Sequence, residues 1–405
     1  MSAGAGLPAL VLGIDTPIGL AIVRDLGRHG VAVTGIARST GAVGLGSRYL
    51  ARGVLRAAGE EAVIAQLEQL GGELGEACLF AISEGDISML NRHRARLAQR
   101  FRLMFPDQRR MDSVLDKQQT YAAAAQVGVP VPRTWQPDGA ATADALAQGA
   151  AGLDYPVVLK WADPNGVGPR VRGAGLAMDK TRYCHSAAEL LAYLAPYGAV
   201  GCYPLVQEYC AGYGLGQFML MRDGQAHCLF QHRRLHEWPP EGGVSTLCEA
   251  LPLSEHSALM AQSVALLRAL EWEGIAMVEY RHDPASGRSA LMEVNGRFWG
   301  SLPLATAAGA HFPWQAYRLL GQGAAPEPWH YRAGLRCRFM VPETKRLLRL
   351  LFRPQAVADR RLARRPLAEL LGYLADFLRP STRYYVFDWR DPGPFWRDLR
   401  QMLRR

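Results

Sequence analysis

The 405-residue chain carries 46 Lys+Arg against 37 Asp+Glu, a formal net charge of +9, with 49% apolar and 20% charged residues. That composition fits a folded globular protein of two or three packed units and excludes a disordered or fibrous chain. The basic excess sits at the end: residues 336–405 hold 17 Lys+Arg and 7 Asp+Glu, so the body is close to neutral and a nucleic-acid binder is not expected.

The start, "MSAGAGLPALVLGIDTPIG", lacks the basic opening and cleavage site of a secretory signal and reads as a lead into a buried strand. No apolar run reaches the length of roughly eighteen residues that a membrane-spanning helix needs. "PALVLGIDTPIGLAIVRDLGRHGVAVTGIAR" follows a βαβ pattern: a strand to Leu12, a helix over 18–29, a second strand "VAVTGIA". Gly13 and Gly19 do not make GxGxxG, so a tight strand-to-helix turn is expected rather than a dinucleotide site. "ACLFAISEGDISMLNRHRARLAQRF" repeats strand then helix, giving a small Rossmann-like domain over residues 1–108.

A helix over 117–127 ends at Gly128 and "VPVPRTW", and residues 140–150 are expected to be helical. "PVVLKWA" is a strand opening into "DPNGVGPRVRGAGLA", whose glycines and prolines predict a loop without regular structure. "CYPLVQEYC" is a strand, and "GQFMLMRDGQAHCLFQHRR" a hairpin turning at "RDGQ". A long amphipathic helix over 255–272 precedes "GIAMVEYRHD" and "ALMEVNGRFWGS", two strands expected to pair antiparallel across "PASG". The seven cysteines show no CxxC or His-Cys cluster, which predicts buried thiols in a reducing compartment, not a disulfide framework or zinc site.

On the last strand Glu293, Asn295 and Arg297 recur every second residue, so they share one face while Met292, Val294 and Phe298 take the other. Glu279 on the neighbouring strand could join Glu293 and Asn295 as oxygen ligands of Mg²⁺. A surface strand with exposed polar alternation is the alternative. Lys160 ends "VVLK" and Lys117 opens a helix; each suits phosphate oxygens, as do N–H groups of a glycine loop carrying Gly166 and Gly168.

The order DK, VVLK with glycine loop, VQEY, GIAMVEY, MEVNGR resembles the ATP-grasp superfamily over roughly residues 8–320. "VQEYCAGYGLGQFMLMRDG…FQHRRLHEWPPEGGVST" further resembles a bacterial carboxylate–amine ligase subgroup related to D-aspartate ligase-like enzymes. The resemblance implies an α/β and α+β chain: an N-terminal Rossmann-like pre-ATP-grasp domain (1–108), an ATP-grasp domain (109–325) with a lid over about 155–205, and a helical basic extension (326–405). It implies ATP phosphates on Lys117 and Lys160, and adenine at Gln207, Glu208 and Tyr209. Mg²⁺, with Mn²⁺ as a substitute, would lie on Glu279, Glu293 and Asn295, and Arg297 would neutralise the transferring phosphoryl group. Relatives carry an acidic residue for the ribose; here "AGYGLGQ" offers Gly214, Gly216 and Gln217, and the ribose contacts stay open.

The implied activity is ATP-dependent amide formation through an acyl phosphate, from a small-molecule or cell-envelope precursor carboxylate and an amine, in the cytoplasm. An ATP-grasp kinase, an ester-forming ligase, or a silent nucleotide-binding scaffold are the alternatives. In the basic loop 232–246, Arg233, Arg234, Gly242, Gly243 and Ser245 are the candidate anion-binding residues. His232 and His236 are expected to be polar loop residues, and Trp238 and Trp299 either line the pocket or pack in the core. Leu367, Leu370, Leu371, Leu374 and Leu378 mark an amphipathic helix in the extension, expected to cap the body, with peripheral membrane contact and a homodimer as further partner readings.

Overall fold

The structure is a computed structural model that describes residues 6–403 except 163, 180, 360 and 362–364. Strands β1 (Ala9–Leu12), β2 (Val33–Ala37), β3 (Arg52–Leu55), β4 (Ala77–Ala81) and β5 (Phe101–Leu103) form a parallel sheet in the order β3-β2-β1-β4-β5. β1 and β4 are buried throughout, as continuous apolar runs in a parallel sheet should be. The intervening helix Pro17–Arg28 starts where expected, with Thr16 capping it and Pro17 at its first position.

β6 (Thr134–Trp135), β7 (Val157–Lys160), β8 (Arg182–Cys184) and β9 (Leu205–Glu208) form a second, antiparallel sheet in the order β6-β9-β7-β8. It has its own core, including Val157, Leu159, Trp161, Val171, Leu190, Leu194 and Val206. Residues 164–173, expected to be a loop, form the helix Pro164–Gly173 instead. A proline at a helix's first position costs no hydrogen bond. Fully buried Val171 ties this helix to the lid core, and Gly175 closes it at φ +72°, so tertiary anchoring overrides a composition that reads as loop.

β10 (Tyr213–Arg222), β11 (Gln225–Trp238), β12 (Val244–Ala250), β13 (Gly274–His282), β14 (Ser289–Asn295), β15 (Arg336–Arg338) and β16 (Thr382–Tyr384) build the central sheet, ordered β14-β13-β10-β11-β12-β15-β16. The β10–β11 hairpin turns on Asp223-Gly224, both at positive φ, as "RDGQ" predicts. The basic segment 232–246 is not a loop: residues 232–238 continue β11, and only 239–243 turn.

Two strands of the central sheet come from the extension, so a boundary at 325/326 cuts through a sheet; three-residue strands such as Arg336–Arg338 are too short to show a period. Helix Met340–Phe352 does cap the body, burying Glu343, Leu347 and Leu350. Helix Pro366–Leu378 does not: Leu367, Leu371, Leu374 and Leu378 are exposed. Among the described residues no helix is long and apolar enough to cross a membrane.

The chain's two ends meet at a buried ion pair. Arg24 Nε donates to Asp391 Oδ2 at 2.9 Å, Ser47 Oγ donates to the same oxygen at 2.7 Å, and the Arg48 N–H donates to Oδ1 at 2.8 Å. Asp391→Ala would strand the Arg24 guanidinium inside the protein, and urea unfolding should show a loss of about 3–5 kcal/mol. Nearby, His311 Nδ1 lies 2.6 Å from Oδ1 of fully buried Asp25, and that hydrogen bond holds the imidazole above its ordinary 6.5. Stability from this pair is fully present below pH 6.5 and is lost as pH rises through the higher folded value. His311→Gln should flatten that dependence in melts recorded from pH 6 to 9.

Candidate active site between the lid and the central sheet

In the register of the two strands, Glu279 on β13 lies directly opposite Glu293 on β14. Tyr280 then faces Leu291, so Met292 is the extra residue of a bulge, which lets β14 keep Leu291 and Val294 in the core while Glu293 turns to the cleft. The face is not polar along its whole length. Met277 of the same strand packs in the core with Phe218 and Phe230, and the charged groups occupy the end where that apolar layer stops.

Directly opposed carboxylates repel, and neighbouring side chains compensate. Arg234 of β11 donates to Glu279 Oε2 and, at 3.3 Å, to the Gly243 carbonyl. To reach β13 it must cross β10, where Gly214 and Gly216 leave the way open. A Cβ on Gly214 would lie 2.8 Å from Arg234 Cδ and 3.0 Å from Glu237 Oε1. Asn295 Nδ2 donates to Glu293 Oε1 at 2.9 Å, and Arg297 Nη2 donates to Asn295 Oδ1 at 3.1 Å. Arg297 stands just beyond the strand, which ends at Asn295, and its Nε donates to Glu84 Oε1 at 3.0 Å.

Burial pushes the Glu279 carboxyl above its ordinary value; Arg234 opposes that, and Glu293 and Glu237 add to it. Glu293 moves the other way: desolvation by the cleft walls raises it, but the Asn295 hydrogen bond and the charges of Lys117, Lys160 and Arg234 outweigh that and leave it lowered. Arg234, desolvated yet flanked by Glu279 and Glu237, is held more firmly protonated than usual. Lys117 is lowered by burial and then by Lys160, with Glu293 acting against both. Two mutually repelling lysines therefore act on Glu293. Asp116 caps the helix that Lys117 opens, accepting from the Gln118 N–H at 2.8 Å, and Lys160 closes β7, so rigid elements aim both amines.

Among the described residues no three His, Cys, Asp or Glu side chains converge as an all-protein metal cage. Two opposed carboxylates are a donor set that a hard divalent cation takes when phosphate and water complete its shell, while the Asn295 amide oxygen is engaged by Arg297 and its Nδ2 by Glu293.

The other residues singled out from the sequence are spread over several elements. Arg233 is on the opposite face of β11 and pairs with Glu249 at 2.7 Å, because adjacent strand residues point to opposite sides. Gly166 and Gly168 are in the helix Pro164–Gly173, Gly166 within its first turn and Gly168 beyond it, and not in a loop. Gln207 donates to Tyr121 and Thr134, Glu208 is clamped by Arg133 and Arg288, and Tyr209, one residue past β9, donates to Asp359. Gly242 and Gly243 form the turn beside Glu237, which accepts the Gly243 N–H at 3.2 Å; Ser245 is nearly buried opposite Glu237. Gln217 is buried against Ser263 and Gln231.

His232 is a core residue stacked on Phe218, and burial depresses it to about 3, so it is neutral. His236 is a strand residue bonded to Glu343 at 2.6 Å. Trp299 packs on Phe218 in the core, whereas Trp238 lies under Arg349. Two cavities of about 400 Å³, one beside Trp161 and Tyr203, the other beside His256 and Arg288, are lined by none of the charged cluster.

Sequence reading missed Glu84, Glu237 and Arg281. Arg281 pairs with Glu237 at 3.3 Å and follows Glu279 by two residues, so the alternation rule applied to "EYR" would have found it. Nothing local marks Glu84. Gly214→Ala should displace Arg234 and cost about 1–3 kcal/mol in urea unfolding; Gly72→Ala, in a helix with open space around the added methyl, should instead stabilise by up to about 1 kcal/mol.

The family model described as carbamoyl-phosphate synthase L chain, ATP binding domain, matches residues 116–319. Comparison with curated proteins gave no match. Among solved structures, the chain is similar to biotin carboxylase from Campylobacter jejuni, solved as a β,γ-ATP complex (TM-score 0.61, 15% identity, 80% of this chain and 73% of that one). It is similar to L-amino acid ligase from Bacillus licheniformis (TM-score 0.56, 17% identity, 77% and 74%). It is also similar to N5-carboxyaminoimidazole synthetase from Staphylococcus aureus (TM-score 0.61, 12% identity, 87% of each chain). These likenesses are of fold, whereas the family match spans half of the sequence: the chain belongs to the family of the carbamoyl-phosphate synthase L chain ATP-binding domain and has the ATP-grasp fold.

Proposed function

We propose that the chain is an ATP- and Mg²⁺-dependent carboxylate–amine ligase of the cytoplasm, forming an amide through an acyl phosphate with ADP and phosphate as products. The observation that carries this reading is the directly opposed pair Glu279/Glu293, with Arg234 bonded to Glu279 and the charges of Lys117 and Lys160 acting on Glu293. Similarity to solved carboxylases and an amino acid ligase supports the reaction class. The carboxylate and amine would be a small molecule or a cell-envelope precursor.

In this reading Glu279, Glu293 and Asn295 hold the divalent ion, which would supply charge neutralisation between phosphate oxygens. Lys117 and Lys160 bind phosphate as compact positive charges aimed by a capped helix and a strand end. Arg297, fixed by Glu84 and Asn295, offers a preoriented guanidinium to charge that builds during phosphoryl transfer. Arg234 steadies Glu279 and, through the Gly243 carbonyl, the turn at Gly242 and Gly243, and its guanidinium is the group beside that turn that an anionic substrate would meet. Phosphoryl transfer needs positioning and charge more than a protein nucleophile. The substrate carboxylate then becomes an acyl phosphate; the amine attacks its carbonyl carbon, loses a proton, and phosphate leaves.

The test is ATP turnover over pools of carboxylates and amines with Mg²⁺ present, with ADP, phosphate and product each measured. ADP and phosphate released only when both substrates are supplied supports ligation; a phosphorylated product without amine demand would make it a kinase, and nucleotide binding without turnover on any pool would make it a scaffold. Glu293→Gln should lower Mg²⁺-dependent turnover about 100- to 1,000-fold with an unchanged circular dichroism spectrum. Wild-type turnover in that variant would remove the metal assignment.

A further inference from the structure

Helix Pro366–Leu378, "PLAELLGYLADFL", is docked the wrong way round for a core helix. Glu369, Tyr373 and Asp376 lie along one stripe, and this polar stripe faces the body. Glu369 accepts from Arg346 at 2.8 Å, and Asp376 from Arg336 at 3.2 Å. The Tyr373 carbonyl accepts from Arg338 at 3.0 Å, and its ring lies 3.8 Å from that guanidinium. The apolar face therefore points outward: Leu367 is 76% exposed, Leu371 66%, Leu374 51% and Leu378 86%. Phe352, at the end of the capping helix, is 72% exposed as well.

The charge around this ridge has one sign. Residues 340–385 contain four acidic side chains. Glu343, Asp359 and Asp376 are buried, and Glu369 is spent on Arg346. Lys345, Arg353, Arg361, Arg365, Arg379 and Arg383 are exposed. Two copies of such a face would bring their cationic rims together, whereas an anionic bilayer offers acyl chains to the leucines and phosphates to the arginines.

We propose that this face seats the protein on an anionic membrane surface, with the helix lying in the plane of the headgroups. The inward-turned acidic residues explain how a ridge of leucines can stay outward: the helix is held by ion pairs to Arg336 and Arg346 and by the stacked Arg338, so burial of its leucines is left to the lipid. This inference concerns the extension and stands independently of the reaction proposed above.

The full chain should be sedimented with vesicles of phosphatidylcholine alone and of a phosphatidylcholine–phosphatidylglycerol mixture. The bound fraction should rise at least about tenfold with phosphatidylglycerol and fall as salt is added. Leu371→Glu/Leu374→Glu, both at exposed positions, should abolish binding while leaving the melting curve unchanged. Equal or absent binding to both vesicles overturns the proposal. So does mixed-vesicle binding that the double variant leaves intact. A concentration-dependent dimer that the double variant dissolves, without vesicle binding, overturns it in favour of a second copy.

Discussion

The constraint that organises this molecule is the placement of two carboxylates opposite one another on neighbouring strands, at the point where an apolar sheet face gives way to a cleft. Placing Glu279 and Glu293 directly opposite one another is unfavourable through like-charge repulsion, and much of the surrounding sequence serves to make it tolerable. β10 gives up side chains at Gly214 and Gly216 so that Arg234 can cross it. β14 takes a bulge at Met292, and Asn295 and two lysines complete the balance around Glu293. A face arranged at that cost is preorganised for charge, and its residual repulsion is the kind a divalent ion relieves.

This arrangement depends on parts of the chain far from it in sequence. Arg297 is held by Glu84 at the start of a helix in the N-terminal sheet domain, itself capped by Ser83. From the other side, Glu343 of the extension accepts from His236 and Thr246, and Arg349 lies over Trp238, so the strand end and turn that carry Gly242 and Gly243 are braced from behind. The Arg24–Asp391 pair then ties the end of the extension to the first helix. Three segments that composition alone would separate are thus joined by polar contacts, buried at Arg24–Asp391 and partly exposed at Arg297–Glu84.

What could be read from the sequence follows from how local each signal is. The parallel N-terminal strands, the Asp223-Gly224 hairpin and the pairing of β13 with β14 rest on periods and turn residues contained within one segment. The shared face of Glu293 and Asn295 is legible because alternation along a strand is strict. The Pro164–Gly173 helix was missed because Val171 anchors it through the lid core, and β15 and β16 because three residues carry no period. Arg233 was grouped with Arg234 because a strand was read as a loop, where neighbours need not diverge; on a strand they must. Glu84 could not be found at all, since only the packing of two domains brings it to Arg297.

The lid follows from the same reasoning. Its core is closed on itself, and the described contacts it makes with the rest of the chain are largely polar: Gln207 with Tyr121, Glu208 with Arg288, the Tyr183 hydroxyl with the Glu241 carbonyl, and Arg361 with the Tyr155 carbonyl. Polar contacts of this kind, along the seam around the lid, separate at lower cost than packed side chains. Lys160 is on the lid side of that seam, while Glu279 and Glu293 are on the sheet side. The proposed phosphate and metal ligands therefore belong to two separately packed bodies, and the distance between them is set by how the lid is seated. Asp359 and Arg361 of the extension touch Tyr209 where the lid strand β9 leaves for the central sheet, so the segment bearing the outward leucines also borders the lid's exit strand.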